Sequence, residues 1–159
     1  MLHPYATFMQ AAIEKAEQAA ADGDYPVGAV IVSNEDIISA QHTRVHSLCD
    51  PTAHAEILVI REAAIKLNKH DLSGCFLYTT LEPCPMCTAA AIWANLKGIV
   101  FGATTADGIA VTSQNRTETH DWRQIDIPTD CIIRFGAQEI ELYPRFMREQ
   151  CKKLLNIKV

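Results

Sequence analysis

The chain has 159 residues, a length that fits one domain (residues 1–159) with a sizeable core. Hydrophobic residues make up 48% and charged residues 21%, which is typical of an ordinary globular protein. The net charge of −5 does not favour a polyanionic partner such as nucleic acid. Apolar runs are shorter than the roughly 18 residues of a membrane helix, and the N-terminus shows no secretory signal. We therefore expect a cytoplasmic protein with no membrane partner.

Apolar spacing and turn residues predict a first helix, then a hairpin, then helices that alternate with strands. Apolar residues that recur every three or four positions predict a helix over 5–21. Two short β-branched runs, over 27–32 and 37–40, predict a hairpin-like pair of strands. The same reasoning predicts, further along, a helix over 53–67, a strand over 76–79, a helix over 84–94, strands over 98–101 and 132–135, and a helix over 143–155.

The stretch over 102–129 is polar and is predicted to be irregular, with room for one short helix. Loops of this length in a compact domain are often lids or binding loops. The alternation of helices and strands on either side predicts an α/β protein in which helices cover a central sheet of about five strands.

A histidine and two cysteines have the spacing of metal ligands. Of the six cysteines, only Cys84 and Cys87 stand three residues apart, and we expect the other four to be reduced thiols. With His54 they supply three ligands for zinc and leave a fourth tetrahedral position open, as a catalytic site requires. Glu56 lies beside His54, where a general acid/base is needed.

The spacing also predicts how these residues meet. Cys84 and Cys87 share one face of the first turn of a helix, where unpaired N–H groups favour thiolates. His54 and Glu56 are two residues apart, so they can flank one ion only if it lies off the end of their helix. We therefore predict that two helix N-termini converge on one zinc ion, with Glu56 outside its coordination shell. The open position would hold a water of lowered pKa.

Two other interpretations of the same residues are a structural zinc clip with a distant fourth ligand and a redox Cys-x-x-Cys pair. The zinc clip leaves Glu56 without a role, and the sequence offers no second ligand pair to complete it. The redox pair leaves both His54 and Glu56 without a role.

Four segments of the chain resemble the cytidine-deaminase-like superfamily, in its branch of cytosine, guanine and tRNA-adenosine deaminases. They read PVGAVIV (26–32), DPTAHAEI (50–57), TLEPCPMC (80–87) and VFGA (100–103). The resemblance implies a three-layer α/β/α fold with a mixed sheet, a homodimer, and one Zn²⁺ per chain on His54, Cys84 and Cys87. It further implies hydrolytic loss of an exocyclic amine as ammonia, with Glu56 carrying the protons.

The resemblance also indicates which residues face the substrate. Ala55 and the backbone around Pro83 and Cys84 face it in relatives. An Asn that contacts the base in relatives is replaced here by Thr43, preceded by His42. A hydroxyl offers one oxygen where an amide offers both a donor and an acceptor group. The identity of the base therefore stays open, and either Thr43 or His42 could replace the contact.

Features downstream favour a small substrate over tRNA. Trp93 and Trp122 could stack on a base, and both lie in segments that look like base-acting bacterial relatives. tRNA enzymes usually have a short loop containing Lys and Gly after the strand over 98–101, whereas the loop over 104–108 contains an acid, Asp107, and no Lys. The leading prediction is zinc-dependent hydrolytic deamination of a free nucleobase, nucleoside or related N-heterocycle that is guanine- or cytosine-like. Alternatives are a tRNA adenosine-to-inosine deaminase and, less favoured, a non-catalytic zinc-stabilised interaction protein.

Overall fold

Five strands form one mixed sheet at the centre of the protein, which a computed structural model describes over residues 3–114 and 123–158. The strands are β1 (Gly28–Ser33), β2 (Asp36–His42), β3 (Phe76–Leu81), β4 (Gly98–Ala103) and β5 (Glu141–Tyr143). Their order across the sheet is β2-β1-β3-β4-β5. β1 pairs antiparallel with both β2 and β3, whereas β3, β4 and β5 run parallel. The predicted five-stranded mixed sheet is confirmed.

Helices cover both faces of this sheet. They are α1 (Ala6–Ala21), α2 (Val45–Leu48), α3 (Ala55–Leu67), α4 (Pro85–Trp93), α5 (Thr105–Gln114), α6 (Thr129–Ile133) and α7 (Arg148–Leu154). None of them, within the described ranges, is both long and apolar enough to cross a bilayer. The side chains of β1 alternate, with Ile31 in the core under α3 and α4 and Val30 in the core under α1 and α7. This alternation confirms the three layers and explains why β1 is a continuous apolar run.

The last predicted strand is wrong. Residues 132–135 do not pair in the sheet, because Thr129–Ile133 forms α6 with Pro128 as its N-cap. A short apolar run does not by itself distinguish a buried strand from a helix. The true fifth strand is Glu141–Tyr143, which is only three residues long and therefore too short to show a period. The closing helix begins at Arg148 rather than at 143.

The stretch over 102–129 contains more helix than its polar sequence indicates. α5 occupies Thr105–Gln114, and residues 115–122 lie outside the described part of the chain. Thr104 and Asp107 start this helix as a reciprocal pair: the Thr104 hydroxyl accepts from the Asp107 N–H (3.2 Å), and the Asp107 carboxylate accepts from the Thr104 N–H (2.9 Å). This is a capping box with an acid at its fourth position, a signal that is visible in the sequence.

Asp107 also joins α5 to α7. The Arg148 side chain donates from Nε to Oδ2 (2.9 Å) and from Nη2 to Oδ1 (2.7 Å), which is a two-point ion pair. Burial would raise the pKa of Asp107, but the hydrogen bonds from Arg148 and Thr104 outweigh it and hold the pKa at about 2. The Asp107 carboxylate thus joins the N-terminus of α5 to the N-terminus of α7.

We predict that Asp107→Asn lowers the free energy of unfolding at neutral pH by about 2 kcal/mol, because it removes a charged hydrogen-bond acceptor. The pKa of Asp107 is lower in the folded protein, so its contribution is fully present above about pH 4 and is lost as the pH falls toward 2. Urea unfolding of both proteins between pH 7 and pH 3 should show the gap between them shrinking with acidification. Glu149→Gln, which alters an exposed pair with Lys152, is the control and should leave stability within experimental error. A gap that does not change with pH would contradict this account of Asp107.

Candidate active site

Two helix N-termini bring a histidine and two cysteines together. His54 is the N-cap of α3 and Cys84 is the N-cap of α4, with Cys87 in the first turn of α4. The Nδ1 atom of His54 lies 3.7 Å from the Cys84 Sγ and 3.5 Å from the Cys87 Sγ, and the two sulfurs are 3.6 Å apart. The predicted convergence of the two helix ends is confirmed.

These three separations match those of ligands around a tetrahedral zinc ion. With Zn–S near 2.3 Å and Zn–N near 2.0–2.1 Å, tetrahedral geometry places two sulfurs about 3.8 Å apart and a sulfur and a nitrogen about 3.6 Å apart. The distances among His54, Cys84 and Cys87 agree with these values to within about 0.2 Å. The group could hold zinc without rearrangement, with three protein ligands and one face left open to the cavity.

Hydrogen bonds within this group shift the pKa values of both thiols and of the imidazole. A hydrogen bond from Cys87 lowers the pKa of Cys84 to about 4, against an opposing effect of burial, and His54 lowers it further. The pKa of Cys87 is raised well above its ordinary value, because Cys87 holds the proton of that bond and is buried. The bond to Cys84 raises the pKa of His54. A metal ion binding here would displace these protons, since metals coordinate the thiolate and the neutral imidazole.

Glu56 is the second residue of α3, in its first turn, and is 4% exposed. Burial raises its carboxyl pKa, which the charge of His54 partly opposes. The Thr79 hydroxyl donates a long hydrogen bond of 3.4 Å to Oε1. A buried carboxyl with a raised pKa beside a metal-binding group is suited to accept and return protons near neutral pH.

A cavity of about 380 Å³ opens in front of this group. Its size is in the range of small-molecule sites, and a single heteroaromatic ring fits within it. The lining residues are Tyr25, Val27, Thr43, Pro51, His54, Glu56, Leu81, Glu82, Cys84, Met86, Thr105, Arg123, Gln124 and Ile125. The cavity therefore joins the ends of β1 and β3 and the first turns of α3 and α4 to the segment that follows residue 122.

Three of the predicted substrate-contacting residues lie at or directly behind this cavity. Thr43 is 3% exposed and lines the cavity with His54. Ala55 is fully buried at the start of α3. Pro83 is buried between two lining residues, and its carbonyl accepts hydrogen bonds from the Thr88 and Thr129 hydroxyls (both 3.1 Å).

The structure corrects the predicted placement of three other residues. His42 is turned away from the cavity: its Nδ1 donates to the Thr43 carbonyl (2.8 Å), and its Nε2 lies 3.4 Å from an oxygen of Asp22. Trp93 is 87% exposed, because it ends α4 at the far side from Cys84 and outside the cavity lining. Asp107 is bound to Arg148 and Thr104 and does not line the cavity. Trp122 lies outside the described residues.

Glu82 is the functional feature that sequence reasoning missed. Its Oε2 accepts from the Thr105 N–H (2.9 Å), and its Oε1 accepts from the Thr129 N–H (3.0 Å). One carboxylate thus caps the N-termini of both α5 and α6, two residues before Cys84. The only signal in the sequence is its position in the segment TLEPC, and its partners lie 23 and 47 residues away along the chain.

Comparison with known proteins identifies the family. Residues 3–103 match the family model described as the cytidine and deoxycytidylate deaminase zinc-binding region. The chain belongs to this family. The match contains His54, Cys84 and Cys87, so the group that could hold zinc lies within the zinc-binding region that defines the family.

Two individual relatives are named for deaminating adenosine in tRNA and guanine. A tRNA-specific adenosine deaminase of Aquifex aeolicus is 47% identical over 96 residues, which are 60% of this chain and 64% of that protein. A guanine deaminase of Bacillus subtilis is 38% identical over 105 residues, which are 66% of this chain and 65% of that protein. The chain thus spans a little under two thirds of the length of each. A solved structure from studies of A-to-I editing by tRNA deaminases at the wobble position superposes with a TM-score of 0.78 at 28% identity, covering 94% of this chain and 99% of that one.

We predict that the purified protein holds about one zinc ion per chain and that Cys87→Ser loses most of it, because serine does not replace a thiolate ligand. Metal content is measured by atomic absorption after dialysis against a weak chelator. Cys151→Ser is the matched control, since Cys151 is equally buried but lies in the core beside Met9. Equal zinc in the two variants would remove Cys87 from the ligand set.

Proposed function

We propose that the protein is a zinc-dependent hydrolase that removes the exocyclic amine of a purine ring as ammonia. The favoured candidate for its substrate is adenosine in tRNA. The observation that carries this proposal is that a zinc-binding group and a buried carboxyl lie at the same cavity. His54, Cys84 and Cys87 lie at the separations of tetrahedral zinc ligands, and the buried carboxyl of Glu56 faces the same space.

Each residue has a role that its position supports. When bound, zinc supplies Lewis acidity, which lowers the pKa of a coordinated water toward about 7. Glu56 would accept one proton from the attacking water and deliver it to the ring nitrogen, where it stays. It would then carry the second proton, from the hydroxyl newly bonded to the ring carbon, to the departing amine, so that a carbonyl remains on the ring. The water oxygen bonds to the ring carbon that carried the amine, the C–N bond breaks, and ammonia leaves.

The choice of tRNA adenosine reverses the order of the sequence-based predictions. A free nucleobase was favoured there because the chain is acidic and has no Lys in the loop over 104–108. The relatives support the tRNA alternative better, since the tRNA-specific enzyme is more similar to this chain than the guanine deaminase is. Net charge is a poor guide here, because it averages over the whole surface. Locally, Arg123 lines the cavity and is exposed, which suits a phosphate-bearing substrate.

Guanine is the second candidate substrate. The guanine deaminase of Bacillus subtilis matches a slightly longer part of this chain than the Aquifex aeolicus enzyme does, although at lower identity. Thr43 lines the cavity. The family resemblance puts it where relatives carry the Asn that contacts the base, so we expect its contact with the base to differ from theirs. Cytosine, which was also considered from the sequence, is named as the substrate of neither of these two relatives.

Ammonia release from a panel of substrates tests the proposal. Zinc-loaded protein is incubated with an anticodon stem-loop carrying adenosine at the wobble position, with the same RNA carrying guanosine there, and with free guanine, adenosine and cytosine. We expect the adenosine stem-loop to give the highest kcat/KM. Faster turnover of free guanine would favour the second candidate, and no ammonia from any of these compounds would contradict the proposed function.

We predict that Glu56→Gln lowers kcat on the best substrate by roughly 10²–10⁴-fold while zinc content stays unchanged, because glutamine keeps the shape of the side chain but carries no exchangeable acid proton. Steady-state rates and metal analysis are measured together. Glu62→Gln is the control, since Glu62 lies on the same helix but pairs with Lys66 at the surface. Wild-type turnover in Glu56→Gln would defeat the mechanism.

The homodimer expected from the family resemblance stays a prediction. Two aromatic side chains support it: Trp93 at the end of α4 is 87% exposed, and Phe135 just after α6 is 89% exposed. α4 and α6 pack against each other, so both rings belong to one side of the protein. Exposed aromatic side chains of this kind are typical of interfaces.

A further inference from the structure

A second cavity, also of about 380 Å³, lies between the C-terminal half of α1, the end of the edge strand β2, and α2. We call it the α1–β2 groove. Seven of the eight described residues that line it are polar, and the eighth is Ala40. Among the described residues, it shares no lining residue with the cavity in front of the zinc-binding group. Because an apolar ligand would leave the polar groups unpaired, the groove suits a hydrophilic group.

The two cavities adjoin along residues 42–44. His42 and Arg44 line the α1–β2 groove, whereas Thr43 between them lines the cavity in front of the zinc-binding group. Successive side chains at the end of a strand point to opposite sides in this way. Backbone hydrogen bonds fix the stretch, since the Thr43 N–H donates to the Val27 carbonyl (3.0 Å) and the Arg44 N–H donates to the Ala53 carbonyl (2.9 Å). A ligand larger than one ring can therefore extend from one cavity into the other.

Two cations of the groove have no acidic partner within ion-pair distance in the described part of the chain. The Arg44 side chain is exposed, and the hydrogen bonds of this residue are made by its backbone. The half-buried Lys15 donates from Nζ to the side-chain oxygen of Gln18 (3.0 Å), which carries no charge. Both positive charges are thus available to an anion that enters the groove.

The acidic groups beside the groove are engaged by other residues. The half-exposed side chain of Asp22 has a carboxylate oxygen 3.4 Å from the Nε2 atom of the buried His42. Behind Gln41, the carboxylate of Glu62 accepts from the Gln41 Nε2 (2.7 Å) and pairs with the Lys66 Nζ (2.7 Å). Counting histidine as neutral, the described lining carries two positive charges and one negative charge.

The chemistry of this lining fits a phosphate group. Phosphate oxygens accept hydrogen bonds, and guanidinium and ammonium groups bind them well. The Gln18 amide and the Ser47 hydroxyl are further donor groups of the lining. None of the described lining residues is Phe, Tyr or Trp, so a base would lack a ring of this kind on which to stack.

We propose that the α1–β2 groove binds a backbone phosphate of the RNA strand whose adenosine occupies the cavity in front of the zinc-binding group. This inference rests on the proposed function, because it takes that RNA to be the substrate. Phosphate contacts position a nucleic acid without reading its sequence. The groove thus fixes where the strand lies, while the adjoining cavity holds the base. A local site of this kind lets a chain with a net charge of −5 bind a polyanion.

The salt dependence of RNA affinity provides the first test. Zinc-loaded Glu56→Gln protein, which turns over slowly, is titrated against a fluorescein-labelled anticodon stem-loop with adenosine at the wobble position. Anisotropy gives Kd from about 50 to about 300 mM KCl. We expect Arg44→Gln and Lys15→Gln, each added to this protein, to raise Kd by about fivefold or more. Each should also lower the slope of log Kd against log[KCl] by about 0.7, because one phosphate contact is lost.

Lys69→Gln is the matched control. It removes the same charge from an exposed position just beyond the C-terminal end of α3, outside both cavities, and should change Kd by less than twofold. Equal Kd values in Arg44→Gln, Lys15→Gln and Lys69→Gln would overturn the inference, as would no measurable binding of the stem-loop by the parent protein. A higher Kd with an unchanged salt slope would indicate a structural role for Arg44 and Lys15 and would also overturn it.

Asp22→Asn gives a test that a loss of structure cannot imitate. It removes the negative charge of the described lining, so Kd for the stem-loop should fall by about twofold or more at low salt. A rise in Kd would contradict an anion site in the groove.

Inorganic phosphate separates a site for RNA from a site for free phosphate. Calorimetry measures the affinity of the parent protein and of Arg44→Gln for phosphate alone. Phosphate binding that depends on Arg44, together with stem-loop affinity that does not, would assign the groove to free phosphate and overturn the inference. Stem-loop affinity that depends on Arg44 supports the inference whether or not phosphate alone binds.

Binding and turnover fail independently of each other. If the stem-loop binds through Arg44 and Lys15 but no compound of the substrate panel releases ammonia, the proposed function fails alone. If the stem-loop is deaminated while Arg44→Gln and Lys15→Gln bind it as Lys69→Gln does, the inference about the groove fails alone.

Discussion

The packing of α3 and α4 side by side beneath the sheet is the constraint on which the site depends. Both helices lie on one face of β1 and β3, and both begin at the same edge, so their first residues meet. His54 and Cys84 are the caps of the two helices, and neither cap makes a side-chain hydrogen bond to its own helix. Their polar atoms are therefore left to face each other. A small error in this packing would separate nitrogen from sulfur and abolish the tetrahedral arrangement.

Most of the fold and the reactive group could be predicted from the sequence, because both are encoded by local pattern. The spacing of Cys84 and Cys87 predicts that they share one helical turn. The continuous apolar run of β1 is typical of a strand that is buried on both faces. The three-residue strand β5 was missed because it depends on pairing of Glu141 with Gly98 rather than on any period of its own. α6 was mistaken for a strand because its two isoleucines fit either structure.

The residues that surround the substrate were harder to predict than those that bind metal. His42, Trp93 and Asp107 have side chains suited to a ring or an amine. Tertiary contacts hold His42 and Asp107 away from the cavity, and Trp93 lies exposed at the far end of α4. Sequence offers no means of seeing that Arg148, 41 residues away, holds Asp107. The zinc-binding group is encoded by short motifs, whereas the cavity beside it is lined by residues from distant parts of the chain.

The double cap made by Glu82 has a consequence for how such a protein changes over evolution. Both ends of the segment over 105–129 are fastened to one carboxylate that is itself two residues from a cysteine of the zinc-binding group. Substitutions or insertions between residues 105 and 129 can alter the wall of the cavity. The two hydrogen bonds of Glu82, and with them the position of Cys84, would stay unchanged. Selection can therefore rebuild the substrate-facing wall without disturbing the reactive centre. A single acidic side chain thus separates the zinc-binding group from the part of the chain that forms this wall of the cavity.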